Sequence, residues 1–549
     1  MKESILKYAL QNAVKYGGKA NPGTIIGKML SLKPELKKKV PELAKEVNLT
    51  IKEVNKLSVE RQLEKLKEIA PELLEEKKGK KGISIPDLPN AKPGKVVMRL
   101  APYPSGPLHI GNVKIAMLND ALVKKYKGKL LLIMDDTIGS EEKSATKDAY
   151  KLIPDGLKWL GIKFDKKIIY KSDRLEIYYK YAEELIKKGQ AYVCKCDSQT
   201  LRDNRASGKI CECREAGMEK TLDEWKKMHT TYKDGEAALR IKTSMDHPNP
   251  AFRDRVLFRI SDRKHVRVGN KYRVWPLLEF SWAVDDVLLG ITHVLRGKEL
   301  MIESEMEKFI WNIFGWKQPE LLHSGLLTLE GVKLSKSKAK KEVESGEYTG
   351  WDDPRTWSIQ ALERRGLLPE AIRTFCLSFG MNQNEITVPI ESLYAENRKL
   401  LDPEVNRYFF VENPKKIKIK ESPIKKTEAP LHPTKQKGKR PFKVADEFYV
   451  TDKISKGKVY RFMHLFNFKD GKFVSEKYDP KLKAKMMHWL PAVGNINVEI
   501  LMPDGSVKTG LGESNIKNIK VGEVIQFERF GFCKLDKKGT TYKFWYTHD

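Results

Sequence analysis

Long apolar runs are scarce in this sequence, and its first residues do not resemble a signal peptide. The longest apolar stretch lies between Lys129 and Met134 and is far too short to span a bilayer. The first residues, Met1 to Lys7, lack the apolar core of a signal peptide. No internal repeat with a fixed period is present, which argues against a solenoid. We therefore expect no membrane segment and a cytoplasmic location.

Acidic residues are also few in comparison with basic ones. The 549 residues include 103 Lys and Arg against 73 Asp and Glu, which gives a formal net charge of +30. An excess of this size opposes compaction unless a polyanion balances it, and it therefore favours a nucleic-acid partner. A Lys-rich surface without such a partner would account for the charge equally well, so the charge alone leaves both explanations open.

The length predicts three or four domains, and the first 94 residues differ from the rest. Apolar residues recur at helical spacing and predict helices over residues 1–76, including one from Ser58 to Glu76. Residues 77–94 combine Lys-Gly runs with three prolines and predict a flexible linker.

From residue 95 onwards, predicted strands alternate with helices. Val96–Ala101 and Lys129–Asp135 are predicted strands, and Leu108–Lys127 is the predicted amphipathic helix between them. A strand, a helix and a strand of these lengths form a parallel βαβ unit, which indicates an α/β, doubly wound, Rossmann-like body. We expect this body over 95–340, with an insertion at about 190–290, and a helical connecting domain over 341–405.

The last third of the chain is predicted to be a linker followed by β-barrels. Lysines and prolines alternate between Lys415 and Arg440, a composition typical of linkers. Beyond Phe442, short strands recur between glycine turns, which is typical of barrel modules. We assign the linker and barrels together to residues 406–549, with predicted strands at 447–450, 459–462, 498–501 and 524–527.

The first segment whose residues could take part in a reaction is Arg99–Asn112, which contains the loop between the first predicted strand and the helix that follows it. The helix opens at His109, so its unpaired N–H groups and positive dipole end form an anion site. His109 and Asn112 lie on one face of the first turn, where both can donate to phosphate oxygens. Gly111 allows a nucleotide to approach the backbone closely. The alternative is an ordinary strand–helix junction with an incidental histidine.

A second segment, Gly331-Val-Lys-Leu-Ser-Lys-Ser-Lys338, follows more than two hundred residues later. A mobile loop of Gly, Ser and Lys can bring cations onto a triphosphate and stabilise the charge that develops on leaving pyrophosphate. Standing alone, it would be interpreted as a solvated basic loop.

Together the two segments resemble the HIGH and KMSKS motifs of class I aminoacyl-tRNA synthetases. Arg99–Gly106 is similar to the R-F-A-P-x-P-S-G stretch of the glutamyl and glutaminyl subfamily, and Phe280–Lys298 is similar to its D-D-x-L-x-G-V-T-H-V-L-R-G run. Gln526–Arg529 resembles the archaeal and eukaryotic branch. The resemblance extends from residue 95 to the C-terminus and favours an archaeal glutamyl-type enzyme.

This resemblance implies that ATP, with Mg²⁺, activates L-glutamate as glutamyl-adenylate for transfer to tRNA(Glu), and that the insertion binds the tRNA acceptor end. Guanidinium forks suit carboxylates, and an acidic residue suits the substrate ammonium. The implied site residues are catalytic His109, Asn112, Lys333 and Lys336; ATP-binding Gly111, Ser335 and Ser337; and amino-acid-binding Arg99, Ser105, Asp135 and Arg296. Arg99 and Arg296 could instead be structural ion-pair members, as we expect Asp285 and Asp286 to be.

Three positions depart from the family pattern and keep alternatives open. Asn112 replaces a second histidine, Ile133 replaces an arginine, and Leu278 replaces a tyrosine that helps to shape the amino-acid pocket. A glutaminyl-tRNA synthetase therefore remains an alternative, as does charging of tRNA(Gln) besides tRNA(Glu). A catalytically inactive tRNA-binding paralogue is disfavoured because His109 and Lys336 are both present.

Four of the six cysteines form a cluster in the sequence. Cys194 and Cys196 are separated by one residue, and Cys211 and Cys213 repeat that spacing fourteen residues later. Four thiolates can close a tetrahedral Zn²⁺ site that has no open position, so the predicted zinc is structural. The alternative is a set of reduced free thiols.

Overall fold

The computed structural model describes residues 2–15, 18–32, 36, 40–73, 85–138, 144–332 and 336–549. The chain divides into two compact units, Met1–Ser84 and Ile85–Asp549. Among the described residues, no helix combines the length and the apolar character that crossing a membrane requires.

The first unit is helical. Its core contains Ile5, Ala9 and Leu66, which are almost completely buried. The predicted helix to Glu76 is too long, because α4 ends at Ile69, where Ala70 leaves the helical conformation and Pro71 has no N–H to donate. Residues 74–76 of the predicted helix and residues 77–84 of the predicted linker lie outside the described part. The helices are α1 (Lys2–Lys15), α2 (Pro22–Leu32), α3 (Val40–Val54) and α4 (Val59–Ile69).

The second unit opens with the predicted βαβ arrangement, which is confirmed. β1 and β2 pair in parallel, with Val97 opposite Lys129, and β3 continues the sheet beyond β2. The return from helix to strand is tight at Gly128, where an added Cβ would lie 2.4 Å from the carbonyl oxygen of Val96. The elements are β1 (Val97–Leu100), α5 (Ile110–Lys125), β2 (Lys129–Met134), α6 (Ala149–Trp159), β3 (Ile169–Tyr170) and α7 (Leu175–Lys187).

An antiparallel four-stranded sheet then interrupts the parallel one. Its strands are neighbours in chain order, β4-β5-β6-β7, so each connection returns directly to the adjacent strand. Trp225 of α9 packs against this sheet and is buried. The elements are β4 (Ala191–Cys194), α8 (Ser198–Ser207), α9 (Met218–Thr230), β5 (Ala238–Ile241), β6 (Val256–Ile260) and β7 (Val274–Pro276).

The chain next returns to the parallel sheet. β8 and β9 pair in parallel, and the N–H of Thr292 donates to the carbonyl oxygen of Val97 at 2.9 Å, which places β8 beside β1. The elements of this part are α10 (Leu278–Leu288), β8 (His293–Gly297), α11 (Met301–Phe314), β9 (Glu320–Ser324), β10 (Leu327–Leu329), α12 (Lys336–Glu344), α13 (Ile359–Arg365), α14 (Pro369–Ser378), β11 (Ile386–Val388) and α15 (Glu391–Leu401).

Strands dominate from residue 407 to the C-terminus. The largest sheet has seven strands in the order β12-β25-β26-β27-β23-β24-β13. The strands are β12 (Arg407–Tyr408), β13 (Phe410–Glu412), β14 (Lys415–Lys418), β15 (Lys426–Pro430), β16 (Lys439–Lys443), β17 (Glu447–Val450), β18 (Val459–Phe462), β19 (Asn467–Lys469), β20 (Lys472–Ser475), β21 (Lys485–Met487), β22 (Leu490–Pro491), β23 (Ile496–Leu501), β24 (Val507–Gly512), β25 (Val524–Phe527), β26 (Gly531–Lys537) and β27 (Thr541–His548).

The four strands predicted beyond Phe442 are confirmed, but the predicted linker from Lys415 to Arg440 is wrong. That segment forms β14, β15 and β16, and β15 pairs with β16 in an antiparallel register. Lys415, Lys416 and Lys418 are exposed, so lysine here covers the outer side of paired strands. Phe442 lies within β16 and is buried in a core with Phe409, so it does not mark a domain boundary.

Arg440 connects this lysine-rich segment to the largest sheet. Its side chain is 1 % exposed, its Nε lies 3.0 Å from Oε2 of the buried Glu513, and its Nη2 donates to Oε1 of Glu528 at 2.9 Å. Burial raises the pKa of Glu513 to about 7, and Arg440 opposes that rise. The pairing explains how a strand of basic residues is held within a folded region.

We predict that Arg440→Met lowers the free energy of unfolding by about 3–5 kcal/mol, because it leaves Glu513 buried without its cation. The matched control is Lys439→Met on the same strand, whose exposed pair with Glu428 is expected to contribute less than about 1 kcal/mol. Denaturant unfolding monitored by tryptophan fluorescence measures both. Equal stability of the two variants would mean that the lysine-rich segment is not tied to the sheet.

Candidate active site

A cleft of about 760 Å³ opens where β1 and β2 end and α5 begins. The carboxyl ends of parallel strands meet at one edge of a sheet, and ligands of such sheets bind there. Arg99 is near the end of β1, and Asp135 directly follows β2. Seven of the predicted site residues line this one cleft: Arg99, Ser105, His109, Gly111, Asn112, Asp135 and Arg296.

The N-terminus of α5 is shaped by its own side chains. His109 is the N-cap, and its Nδ1 accepts from the N–H of Gly111 at 3.1 Å. Oδ1 of Asn112 faces the N–H of His109 at 3.5 Å. In the neutral imidazole the proton therefore resides on Nε2, which is the donor that His109 can present to an anion. The amide group of Asn112 likewise has its oxygen turned towards the backbone.

The loop before α5 is packed from both sides. The N–H of Asp135 donates to the carbonyl oxygen of Pro102 at 3.1 Å, and the N–H of Thr146 donates to that of Pro104 at 2.9 Å. An added Cβ on Gly106 would lie only 2.7 Å from the ring of Trp351. The glycine therefore lets the indole cover the loop next to Ser105, which lines the cleft.

Arg99 lies in the cleft wall and is also a member of an ion pair. Its side chain is 4 % exposed, its Nη2 donates to Oδ2 of Asp286 at 2.8 Å, and its Nε donates to Oδ1 of the same carboxylate. Asp285, the neighbour of Asp286, instead accepts from Arg174 and from the hydroxyl of Tyr178. Both aspartates are thus structural ion-pair members, as expected from the sequence.

Asp135 is paired with a lysine that the sequence analysis missed. Nζ of Lys171, which is fully buried, lies 3.0 Å from Oδ1 of Asp135 and donates to Oγ of Ser281 at 2.8 Å. Burial raises the pKa of Asp135, and Lys171 opposes that rise. Burial also lowers the pKa of Lys171. Lys171 directly follows β3, a two-residue strand that the sequence analysis did not predict, and it lies in none of the motifs that carry the resemblance.

Arg296, at the end of β8, likewise lines the cleft and belongs to a buried ion pair. Its Nη1 and Nη2 donate to the two carboxylate oxygens of Glu307 at 2.8 and 2.9 Å, and its Nε donates to Oγ of Ser304 at 3.1 Å. Glu307 is completely buried, and burial raises its pKa to about 7. The guanidinium is therefore fixed in position before any ligand arrives.

The second sequence motif is only partly described. Lys333 and Ser335 lie outside the described residues. Lys336 and Ser337 begin α12, and their side chains are also outside the description. Further along α12, Nζ of Lys340 donates to Oγ of Ser144 at 2.6 Å, which places the helix beside the segment that follows β2.

The four clustered cysteines come together away from the cleft, at the end of β4. Their sulfur atoms all lie within 4.8 Å of one another, and those of Cys194 and Cys211 are 3.7 Å apart. Nη1 of the buried Arg240 lies 3.5 Å from Sγ of Cys194. A tetrahedron with Zn–S bonds of about 2.3 Å has sulfur atoms about 3.8 Å apart. The sulfur positions thus fit a tetrahedral ion.

Models of three protein families match consecutive parts of the chain. "tRNA synthetases class I (E and Q), catalytic domain" matches residues 95–403. "tRNA synthetases class I (E and Q), anti-codon binding domain" matches twice, at residues 405–488 and 486–536. The catalytic match contains the whole cleft, and the other two matches contain the strands from β12 to β25.

Proteins named Glutamate--tRNA ligase match along almost their whole length. The one from Methanocaldococcus jannaschii is 43 % identical over 555 residues, which covers 98 % of each chain. The one from Pyrococcus furiosus is 46 % identical over 559 residues, covering 97 % of this chain and 96 % of the other. The one from Methanobrevibacter smithii is 42 % identical, covering 100 % and 99 %. The chain therefore belongs to the class I tRNA synthetase family of the glutamate and glutamine type.

Proposed function

We propose that this protein joins L-glutamate to tRNA(Glu), using ATP and a glutamyl-adenylate intermediate. The observation that carries the proposal is the cleft, in which the guanidinium groups of Arg99 and Arg296, the carboxylate of Asp135 and the N-terminus of α5 converge at the edge of the parallel sheet. This set of groups suits a dicarboxylic amino acid beside a triphosphate. The near full-length similarity to glutamate–tRNA ligases supports the same substrate.

The N-terminus of α5 is the proposed ATP end of the cleft. His109 would donate through Nε2 to a phosphate oxygen, and the dipole of α5 would favour the negative charge. Gly111 would let the nucleotide approach the backbone, and Asn112 would assist through its amide. The four residues of the second motif, Lys333, Ser335, Lys336 and Ser337, are proposed to hold the leaving pyrophosphate.

Arg99, Asp135 and Arg296 form the proposed amino-acid end. Each is buried, and each is held by an oppositely charged partner, so its position does not have to be reorganised when the substrate binds. The two arginines would attract the two carboxylates of glutamate, and Asp135 would accept from its ammonium group. Ser105, which also lines the cleft, would add a hydroxyl donor.

In the proposed reaction an oxygen of the substrate α-carboxylate attacks the α-phosphorus of ATP, and pyrophosphate leaves. The hydroxyl of the terminal tRNA nucleotide then attacks the acyl carbon, and AMP leaves. Mg²⁺ would neutralise phosphate charge as the ion that accompanies ATP. Two carboxylates line the cleft, Asp135 and Glu299, and Asp135 is already paired, so the described wall does not form a metal cage of its own.

The remaining regions are proposed to bind tRNA. The sheet β4–β7 within residues 190–290 would contact the acceptor end, and residues 341–405 would connect the body to the C-terminal strands. Those strands would form the barrels that bind the anticodon, in agreement with the two anticodon-domain matches. Exposed lysines of β14 would add sequence-independent contacts to phosphates.

Zn²⁺ is the proposed occupant of the cysteine cluster. Cys194, Cys196, Cys211 and Cys213 would supply four thiolates and leave no open position, so the ion would stabilise the fold and take no part in the reaction. The neighbouring Arg240 would stabilise the negative charge of the thiolates, since its Nη1 lies within 4 Å of two of the sulfurs.

We predict that kcat/KM for aminoacylation is at least about 100-fold higher with glutamate than with glutamine, because the cleft offers cations to both substrate carboxylates. The measurement charges archaeal tRNA(Glu) and tRNA(Gln) transcripts with each labelled amino acid. A higher value for glutamine would indicate a glutaminyl enzyme. Binding of tRNA without charging by either amino acid would indicate an inactive paralogue.

We predict that Asp135→Asn raises KM for glutamate about 10- to 100-fold, because a hydrogen bond to a charged group contributes about 1.5–3 kcal/mol. KM for ATP should change less than threefold. The matched control is Asp285→Asn, which also removes a buried carboxylate but lies outside the cleft wall. The role assigned to Asp135 is wrong if both variants change KM for glutamate equally.

We predict one Zn²⁺ per chain in protein purified without chelator, and a loss of that ion in the double variant Cys194→Ser/Cys211→Ser. Cys376→Ser is the control, since it removes a buried thiol outside the cluster. Elemental analysis by mass spectrometry measures the metal content, and calorimetry measures the accompanying fall in Tm. Undiminished zinc in the double variant would contradict the assignment.

A further inference from the structure

Trp282 occupies a central position in the wall of the cleft. It lies on α10, one helical turn after Leu278, and both side chains line the cleft. Leu278 carries no polar side-chain atom, so it offers nothing for a hydrogen bond to a ligand. The side chain of Trp282 is 4 % exposed, and its indole Nε1–H can donate a hydrogen bond.

The ring of Trp282 is surrounded by the three buried cations of the site. Cζ of Arg99 and Nζ of Lys171 each lie 4.8 Å from its centroid, and Cζ of Arg296 lies 5.0 Å away. The negative face of an indole attracts cations at such distances, most strongly where water is excluded. One side chain therefore contacts three positive groups, each of which is also paired with a buried carboxylate.

Nε1 of Trp282 is a buried polar atom of the cleft wall that has no hydrogen-bond partner among the described residues. Leaving a buried donor without a hydrogen bond is costly, and an acceptor on a ligand bound in the cleft would remove that cost. A donor in the wall of the cleft complements a carboxylate group of an amino acid.

We propose that Trp282 is a specificity-determining residue for the amino-acid substrate. Its ring sets the spacing of Arg99, Lys171 and Arg296, and its N–H donates to a carboxylate oxygen of the substrate. This inference rests on the proposed function, because it needs an amino acid in the cleft. A phosphate oxygen of ATP is the other anionic candidate, but the proposed phosphate end lies at His109 and the N-terminus of α5.

Trp275 provides a matched control for this proposal. Its indole is fully buried, and its Nε1 likewise lacks a hydrogen-bond partner among the described residues. It lies on β7 outside the wall of the cleft. A Trp→Phe substitution at either position removes one unpaired N–H and a similar volume, and only Trp282 is placed to affect a substrate.

The experiment measures steady-state aminoacylation of an archaeal tRNA(Glu) transcript by wild type, Trp282→Phe and Trp275→Phe. For Trp282→Phe we expect KM for glutamate to rise about tenfold or more, from the loss of a hydrogen bond to a charged group. KM for ATP should stay within threefold, and Trp275→Phe should leave both KM values within threefold. Calorimetry of the two variants checks that each retains a folded transition.

Inhibition by L-glutamine identifies which carboxylate accepts the hydrogen bond. If the inhibition constant rises together with KM for glutamate, the acceptor is the α-carboxylate that both amino acids share. If only KM for glutamate rises, the acceptor is the side-chain carboxylate. Either result supports a hydrogen bond from Trp282 to the substrate, and only the second makes Trp282 a determinant of specificity for glutamate over glutamine.

Three outcomes would overturn the proposal: KM for glutamate within threefold of wild type in Trp282→Phe, an equal rise in KM for ATP, or the same loss in Trp275→Phe. Wild-type protein that does not charge tRNA(Glu) with glutamate would instead refute the proposed function. The two failures are therefore distinguishable in one set of measurements.

Discussion

Charge balance inside the cleft wall is the constraint on which the site depends. Three buried cations line or adjoin the cleft, each paired with a buried carboxylate: Arg99 with Asp286, Lys171 with Asp135, and Arg296 with Glu307. Removing one member of such a pair leaves an uncompensated charge and typically costs about 3–5 kcal/mol. The cations can therefore stay buried in the cleft wall, away from water, only while their carboxylate partners are present.

The same pairs position the elements that build the cleft. The pair of Arg99 joins β1 to α10, that of Lys171 joins the ends of β3 and β2, and that of Arg296 joins β8 to α11. Because the groups are already oriented, binding of an anionic substrate requires little rearrangement of the protein. Packing of the sheet edge and preorganisation of the site are thus achieved by one set of contacts.

Local sequence patterns predicted the parts of the fold that depend on local contacts. The βαβ unit and the strands beyond Phe442 follow from periodicity, and Arg99 and Asp135 follow from motifs that resemble those of the family. Composition failed between Lys415 and Arg440, because what holds that segment is the pair of Arg440 with Glu513, far away in the chain. The contacts of Trp282 could not be predicted from the sequence either, because the cations around its ring come from three separate strand ends.

Packed side chains also connect the cleft to the C-terminal strands within the second unit. The ring of Trp351 covers Gly106 in the loop before α5. Next to it, Asp352 accepts from Arg364, whose guanidinium also pairs with Asp536 on β26. These contacts join the segment beside the cleft to β26, most of which lies in the part of the chain that matches the anticodon-binding domain. Arg364 is 36 % exposed, unlike the cations of the cleft, so salt weakens this connection before it weakens the site itself.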